Sequence, residues 1–166
     1  MRFQSRLLPL LAGLSIQLAI LPARSFADGN DLTIDHVYTG WREADSFKRI
    51  SEYFTGRENT GDIVVLRTHP EQRSGFYFLI KAVNPGSPAA VTVGLEVIVP
   101  NNPKPKTYAF SATLKSGANL IDLGLTAGDW TDPEAHPVAW IINFENARGD
   151  VLAVKKSYLW ERPAAK

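Results

Sequence analysis

The chain has no cysteine, one methionine and no Asn-x-Ser/Thr triplet. Without thiols there is no disulfide framework, no cysteine nucleophile, no iron–sulfur ligation and no cysteine zinc site. The GxSxG elbow, the Walker loop, the GxGxxG fingerprint and the HExxH pair are missing as well. Only three histidines occur, His36, His69 and His136, none of them two or four residues from another, so no local metal pair exists. His69 and His136 each precede proline, where the backbone is pushed into extended geometry and a turn or surface position follows. These absences lead us to expect no metal, no cofactor and no catalytic set.

Acid is also absent from the first 27 residues, which hold Arg2, Arg6 and Arg24. Arg2 and Arg6 form a charged start, Leu7 to Leu21 an apolar run, and Ser25-Phe26-Ala27 a small-x-small cleavage site. Residues 1–27 therefore read as a cleaved secretory signal, with Asp28 as the first mature residue. The apolar run is broken by Gly13, Gln17 and Pro22 and falls short of the ~20 residues a membrane span needs. Past this leader, fifteen Lys and Arg face seventeen acids, a net of −2 that gives no overall attraction to nucleic acid or anionic lipid. The expectation is a periplasmic or secreted protein with no nucleic-acid partner and no stable membrane insertion once the leader is gone. Residues 28–166 are long enough to fold as one domain on burial alone.

What is present is a series of short β-rich runs separated by Gly, Pro and Asn clusters. They are Ile63 to Thr68, Phe76 to Val83, Ala90 to Val99, Thr107 to Leu114, Asn119 to Leu123, Val138 to Phe144 and Val151 to Trp160. In one run Val91, Val93, Leu95, Val97 and Val99 oppose Thr92, Gly94 and Glu96; in another Tyr108, Phe110, Ala112 and Leu114 oppose Thr107, Ser111 and Thr113. Period 2 assigns their faces and predicts a hairpin across Pro100 to Lys106. The run Phe76 to Ile80 is apolar on both parities, as for a central strand with one face in the core and the other partly covered. A last hairpin turns at Asn146 to Asp150, with Gly149 supplying the positive φ. Leu32, Ile34 and Val37 or Tyr38 suggest a first strand.

Residues 46–55 admit two readings. As a helix they have a cap at Asp45 or Ser46, apolar residues at 47, 50 and 54, and Gly56 as the stop. As a strand, Ile50, Glu52 and Phe54 alternate with Ser51 and Tyr53; the spacing favours a short helix. The fold expected is all-β, an immunoglobulin-like or fibronectin-like antiparallel β-sandwich of about seven to nine strands.

Candidate sites lie in three places. The connection from Gly128 to Pro137 sets Trp130 beside Asp129, Asp132 and Glu134, groups that could stack on and bond to a sugar, ligate Ca²⁺ or hydrolyse a glycan. Trp130 has a competing role as a plug for the open end of the sandwich. Arg148-Gly149-Asp150 projects from the last hairpin and is a tripeptide that integrins read, although tight turns select Gly and Asp for backbone reasons. Tyr158 and Trp160 share a parity with Leu152, Val154 and Lys156, so either Lys156 reaches past the rim or that face is only half covered, and the second alternative leaves Tyr158 and Trp160 near a patch open to a partner. Trp140 falls on the apolar parity of its strand and belongs to the core. The function expected is an exported non-catalytic binding or structural module contacting an envelope or extracellular protein. The alternative is a carbohydrate-binding module or small glycan hydrolase using residues 129–136.

Overall fold

A computed structural model describes residues 31–100 and 102–161 of the chain. The expected leader lies outside the described residues. The fold is mostly β, 56% strand against 12% helix, in two four-stranded sheets consistent with an all-β sandwich.

The strands are β1 (Thr33–Arg42), β2 (Ile63–Arg67), β3 (Gly75–Asn84), β4 (Ala89–Val99), β5 (Asn102–Leu114), β6 (Gly117–Thr126), β7 (Ala139–Glu145) and β8 (Val151–Lys156). Two short helices, α1 (Ile50–Thr55) and α2 (Tyr158–Glu161), lie outside the sheets. The first sheet runs β1-β3-β6-β2 and the second β5-β4-β7-β8.

Alternation of side chains builds the core between the sheets. Phe76, Phe78 and Ile80 of β3 and Ile121, Leu123 and Leu125 of β6 meet Val91, Val93, Leu95 and Val97 of β4 and Ile142 and Phe144 of β7. Both predicted hairpins form: Val93 pairs Phe110 in β4–β5, and Phe144 pairs Ala153 in β7–β8. Gly149 turns the second at φ 82°. The first hairpin has a much shorter loop than Pro100 to Lys106, because β5 begins at Asn102 and carries Pro103 and Pro105. β5 is an edge strand, where a missing N–H can face solvent. Trp140 packs against the core from a half-buried position, its ring 5.8 Å from that of Phe78.

One departure from the antiparallel expectation determines the rest of the molecule. β2 pairs with β6 in parallel, Ile63 opposite Leu120 and Arg67 opposite Gly124. β1 and β2 occupy opposite edges of the first sheet, so residues 43–62 must cross its outer face to join them. Parallel strands require such a crossover, usually of a dozen or more residues. This strap contains a 3-10 turn at Ala44–Phe47 and then α1, which ends at Gly56 with φ 64°. The single helix expected over 46–55 is thus two pieces. Asp45 and Ser46 do not cap α1; its N-cap is Arg49.

Candidate functional site

The strap is fastened by ion pairs and one aromatic contact. Phe47 turns down onto the outer face, its ring 4.7 Å from Tyr77 of β3, with the guanidinium groups of Arg42 and Arg67 at 4.5 and 5.1 Å from its centroid. Arg67 donates to both Glu58 oxygens at 2.6 and 2.9 Å and, through Nε, to the Tyr77 hydroxyl at 2.8 Å. That hydroxyl donates in turn to the Arg73 carbonyl at 2.7 Å. Glu52 of α1 accepts from Arg73 at 2.7 Å and also from the Arg49 and Asn59 backbone N–H groups. Gly124 leaves room for this arrangement, since a Cβ there would lie 2.5 Å from the Tyr77 ring.

These contacts shift the ionisation of the groups that make them. Arg67 holds the Glu58 carboxyl below its ordinary range, and Arg73 does the same for Glu52. Asp122 of β6 forms the floor of a cleft of about 150 Å³ under the strap, walled by Arg42 and Phe47. Burial pushes its carboxyl up, against the opposing pull of Arg42 at 3.3 Å and of Arg67.

In the acidic-aromatic connection Trp130 takes the plug arrangement, not the sugar-platform one. Trp130 is only 5% exposed, its ring lies 4.7 Å from Phe76, and its Nε1 donates to the Asp132 carbonyl at 3.0 Å. It closes the end of the sandwich and presents no open ring face to a sugar. Asp129 turns toward Tyr108, which donates to it at 3.1 Å, and toward His69 Nε2, also at 3.1 Å. Asp132 and Glu134 stay exposed, and Asp132 Oδ1 accepts from the Glu134 N–H as a turn former. Among the described residues no three His, Cys, Asp or Glu side chains gather where a metal ion could sit. The His69–Asp129–Tyr108 cluster joins residues that are far apart in sequence.

Burial and the Asp129 charge push the Tyr108 phenol up to about 12. Because the unfolded phenol ionises near 10, the folded state keeps a proton that the unfolded state loses, and stability falls as pH rises across that interval. Burial raises the Tyr77 phenol too, so ultraviolet difference titration should show two tyrosines ionising after the exposed ones, and Asp129→Asn should bring only the Tyr108 one earlier.

Arg148 and Asp150 sit at one end of β8 and Tyr158 and Trp160 at the other, separated by the roughly 20 Å length of six strand residues. The four therefore do not form one site. The Asp150 carboxylate is held inside its own loop by the Asn146 amide at 2.9 Å and Arg148 Nε at 3.2 Å. The parity expected through Trp160 stops at Lys156, because Ser157 ends the strand and Tyr158 begins α2. Ser157 Oγ accepts from the Trp140 N–H at 2.9 Å, and Trp160 N–H donates to the Ser157 carbonyl.

On β8, Ala153 packs toward the core while Val151, Leu152 and Val154 are exposed. Lys155 turns to the Asp35 carbonyl of β1 at 3.3 Å. Beyond the strand, Tyr158 is 77% exposed and Leu159 is exposed beside it, while Trp160 is half-buried. The two edges of the second sheet therefore differ. Prolines and lysines guard β5 in the manner of an edge protected from pairing, whereas β8 exposes aliphatic side chains in its first four residues before Lys155 and Lys156, and α2 exposes Tyr158 and Leu159.

Comparison with known proteins finds no matching family model, no matching curated protein and no matching solved structure.

Proposed function

We propose that the chain is an exported, non-catalytic β-sandwich that holds a protein partner on the β8–α2 face. The observation that carries this reading is the group of exposed apolar side chains Val151, Leu152, Val154, Tyr158 and Leu159 on one edge strand and the turn that follows it. Apolar exposure gathered in this way marks interaction surfaces, and a Tyr among aliphatic neighbours has the composition of an interface centre. The amino-terminal leader pattern supports placement in the periplasm or outside the cell.

Strand order supports an immunoglobulin-like or fibronectin-like assignment. With β2 set aside, the first, second and fifth strands form one sheet, and the third, sixth and seventh strands form the other. That matches the immunoglobulin arrangement except that the fourth strand, β5, pairs with the third instead of with the fifth. β2 takes the vacated edge through its crossover.

Photo-crosslinking in the producing cell tests the docking face. A photoreactive residue at Tyr158 or Val154 should give one adduct of discrete mass, and the same residue at Thr113 on β5 should give none. Leu152→Lys with Val154→Lys should reduce the adduct by about tenfold or more while leaving the fold intact. Adducts of equal yield from both edges would sink the reading. An adduct of twice the chain mass would identify the partner as a second copy.

A further inference from the structure

We propose that the occupant of the β8–α2 face is a second copy of this chain, joined edge to edge so that the second sheet continues through both molecules. The proposal rests on the docking reading above and names its partner. β8 ends the second sheet and carries no proline. β1 of the first sheet touches it where Lys155 reaches the Asp35 carbonyl, but does not pair with it. The Ser157 N–H donates to the Trp140 carbonyl, so alternation turns the backbone groups of Lys155 and Ala153 toward β7 and those of Val154 and Lys156 to the open side. A row of unpaired backbone groups is a template for another strand.

Charge selects the partner and the direction. Asp150 stands just before the strand, and Lys155 and Lys156 end it. Parallel pairing of two copies would set lysine beside lysine, whereas a two-fold axis perpendicular to the sheet makes the strands antiparallel and matches residues of like parity. Centred on Ala153, that pairing puts Leu152 opposite Val154 and Asp150 opposite Lys156, each match occurring once on either side of the axis. Lysines at an edge ordinarily repel a foreign strand; here Lys156 finds its acid on a second copy, and Lys155 is already turned to Asp35. The bulge opposite Glu145 sits at the hairpin end of β8, and Ala153 to Lys156 keep regular pairing with β7. The same axis joins groups that one molecule keeps apart. Each hairpin tip comes to the α2 end of the other copy, where exposed Arg148 meets the exposed Tyr158 ring. Asp150 is 62% exposed and has room to accept from Lys156 while keeping its bonds to Asn146 and Arg148.

Sedimentation tests the pair, using the protein as the cell exports it, with its amino terminus read by mass spectrometry. The protein should run as a dimer that dissociates on dilution, because pairing along one short strand is a modest interface. Lys156→Glu should weaken the dimer by about tenfold or more, through like charge at both symmetric positions, and adding Asp150→Lys should restore it. A second probe does not depend on the turn at Asp150. The chain has no cysteine of its own, and residues facing across the axis lie within disulfide reach, so Ala153→Cys should close a bond between copies and Lys156→Cys alone should not. An equal mixture of Leu152→Cys and Val154→Cys chains should give the mixed disulfide faster than either chain alone. A monomer at every concentration, or no disulfide from either probe, would overturn the proposal. So would a dimer indifferent to Leu152→Lys with Val154→Lys, since the contact would then lie elsewhere. If the photo-crosslink at Tyr158 carries a different protein, the docking reading stands and the self-pairing falls; with no adduct at all, both fall.

Discussion

Trp130→Ala is expected to lower the unfolding free energy by about 3–5 kcal/mol, as large-to-small changes do at buried aromatic sites. The indole is one of the core cluster, lies against Phe76 and gives its only N–H to the Asp132 carbonyl, so truncation opens a cavity and frees a turn. Urea unfolding should show the midpoint falling with little change in slope. Trp130→Phe should recover part of the loss by refilling the space without the N–H. If the alanine variant instead kept its stability and lost affinity for a glycan, the ring would be a sugar platform and the plug assignment would fail. The distinction bears on function because the acids around Trp130 have separate tasks. Asp129 is occupied by Tyr108 and His69, and Asp132 by its own turn.

The two hairpins were legible in the sequence for a local reason. Alternation in Val91 to Val99 and Tyr108 to Leu114 fixes the faces, and short connections leave antiparallel pairing as the only near neighbour. Parallel pairing of β2 with β6 is set by residues far apart in the chain. Its one local trace is the length of the connection between β1 and β2, which suits a crossover better than a hairpin. For α1, the spacing of Ile50 and Phe54 shows that they share a face and is silent on which face is covered. That choice was made by Arg73, 21 residues from Glu52, and by Arg67, nine from Glu58. The break before Tyr158 had a readable signal in Ser157, a residue type that favours helix starts, but the apolar alternation through Val154 hid it.

Arg67→Ala is the change expected to free the strap while leaving the sandwich closed. The Arg67 side chain is 5% exposed and its guanidinium serves Glu58 twice and the Tyr77 hydroxyl once. Removing one partner of such a pair leaves the other charge poorly compensated, at a cost of about 3 kcal/mol, the low end of the range because Glu58 keeps some access to water and a second cation, Arg73, at 3.7 Å. Arg67→Lys should recover little of it, since an ammonium cannot reproduce the guanidinium fork. Hydrogen exchange should quicken in α1 and the 3-10 turn, while β4 and β7 stay protected. Acid should act on the same contacts. Glu52 and Glu58 titrate below their usual value of 4.5 when folded, so the stability they confer is present above that value and is lost as pH falls through the folded values. Asp122 works in the opposite sense: its carboxyl is raised by burial, so protonation relieves the folded state. Acidification should therefore loosen the strap at its two glutamates while Asp122 leaves the sheet beneath it undisturbed, and in the Arg67→Ala chain the Glu58 part of that pH dependence should shrink to what Arg73, 3.7 Å away, sustains.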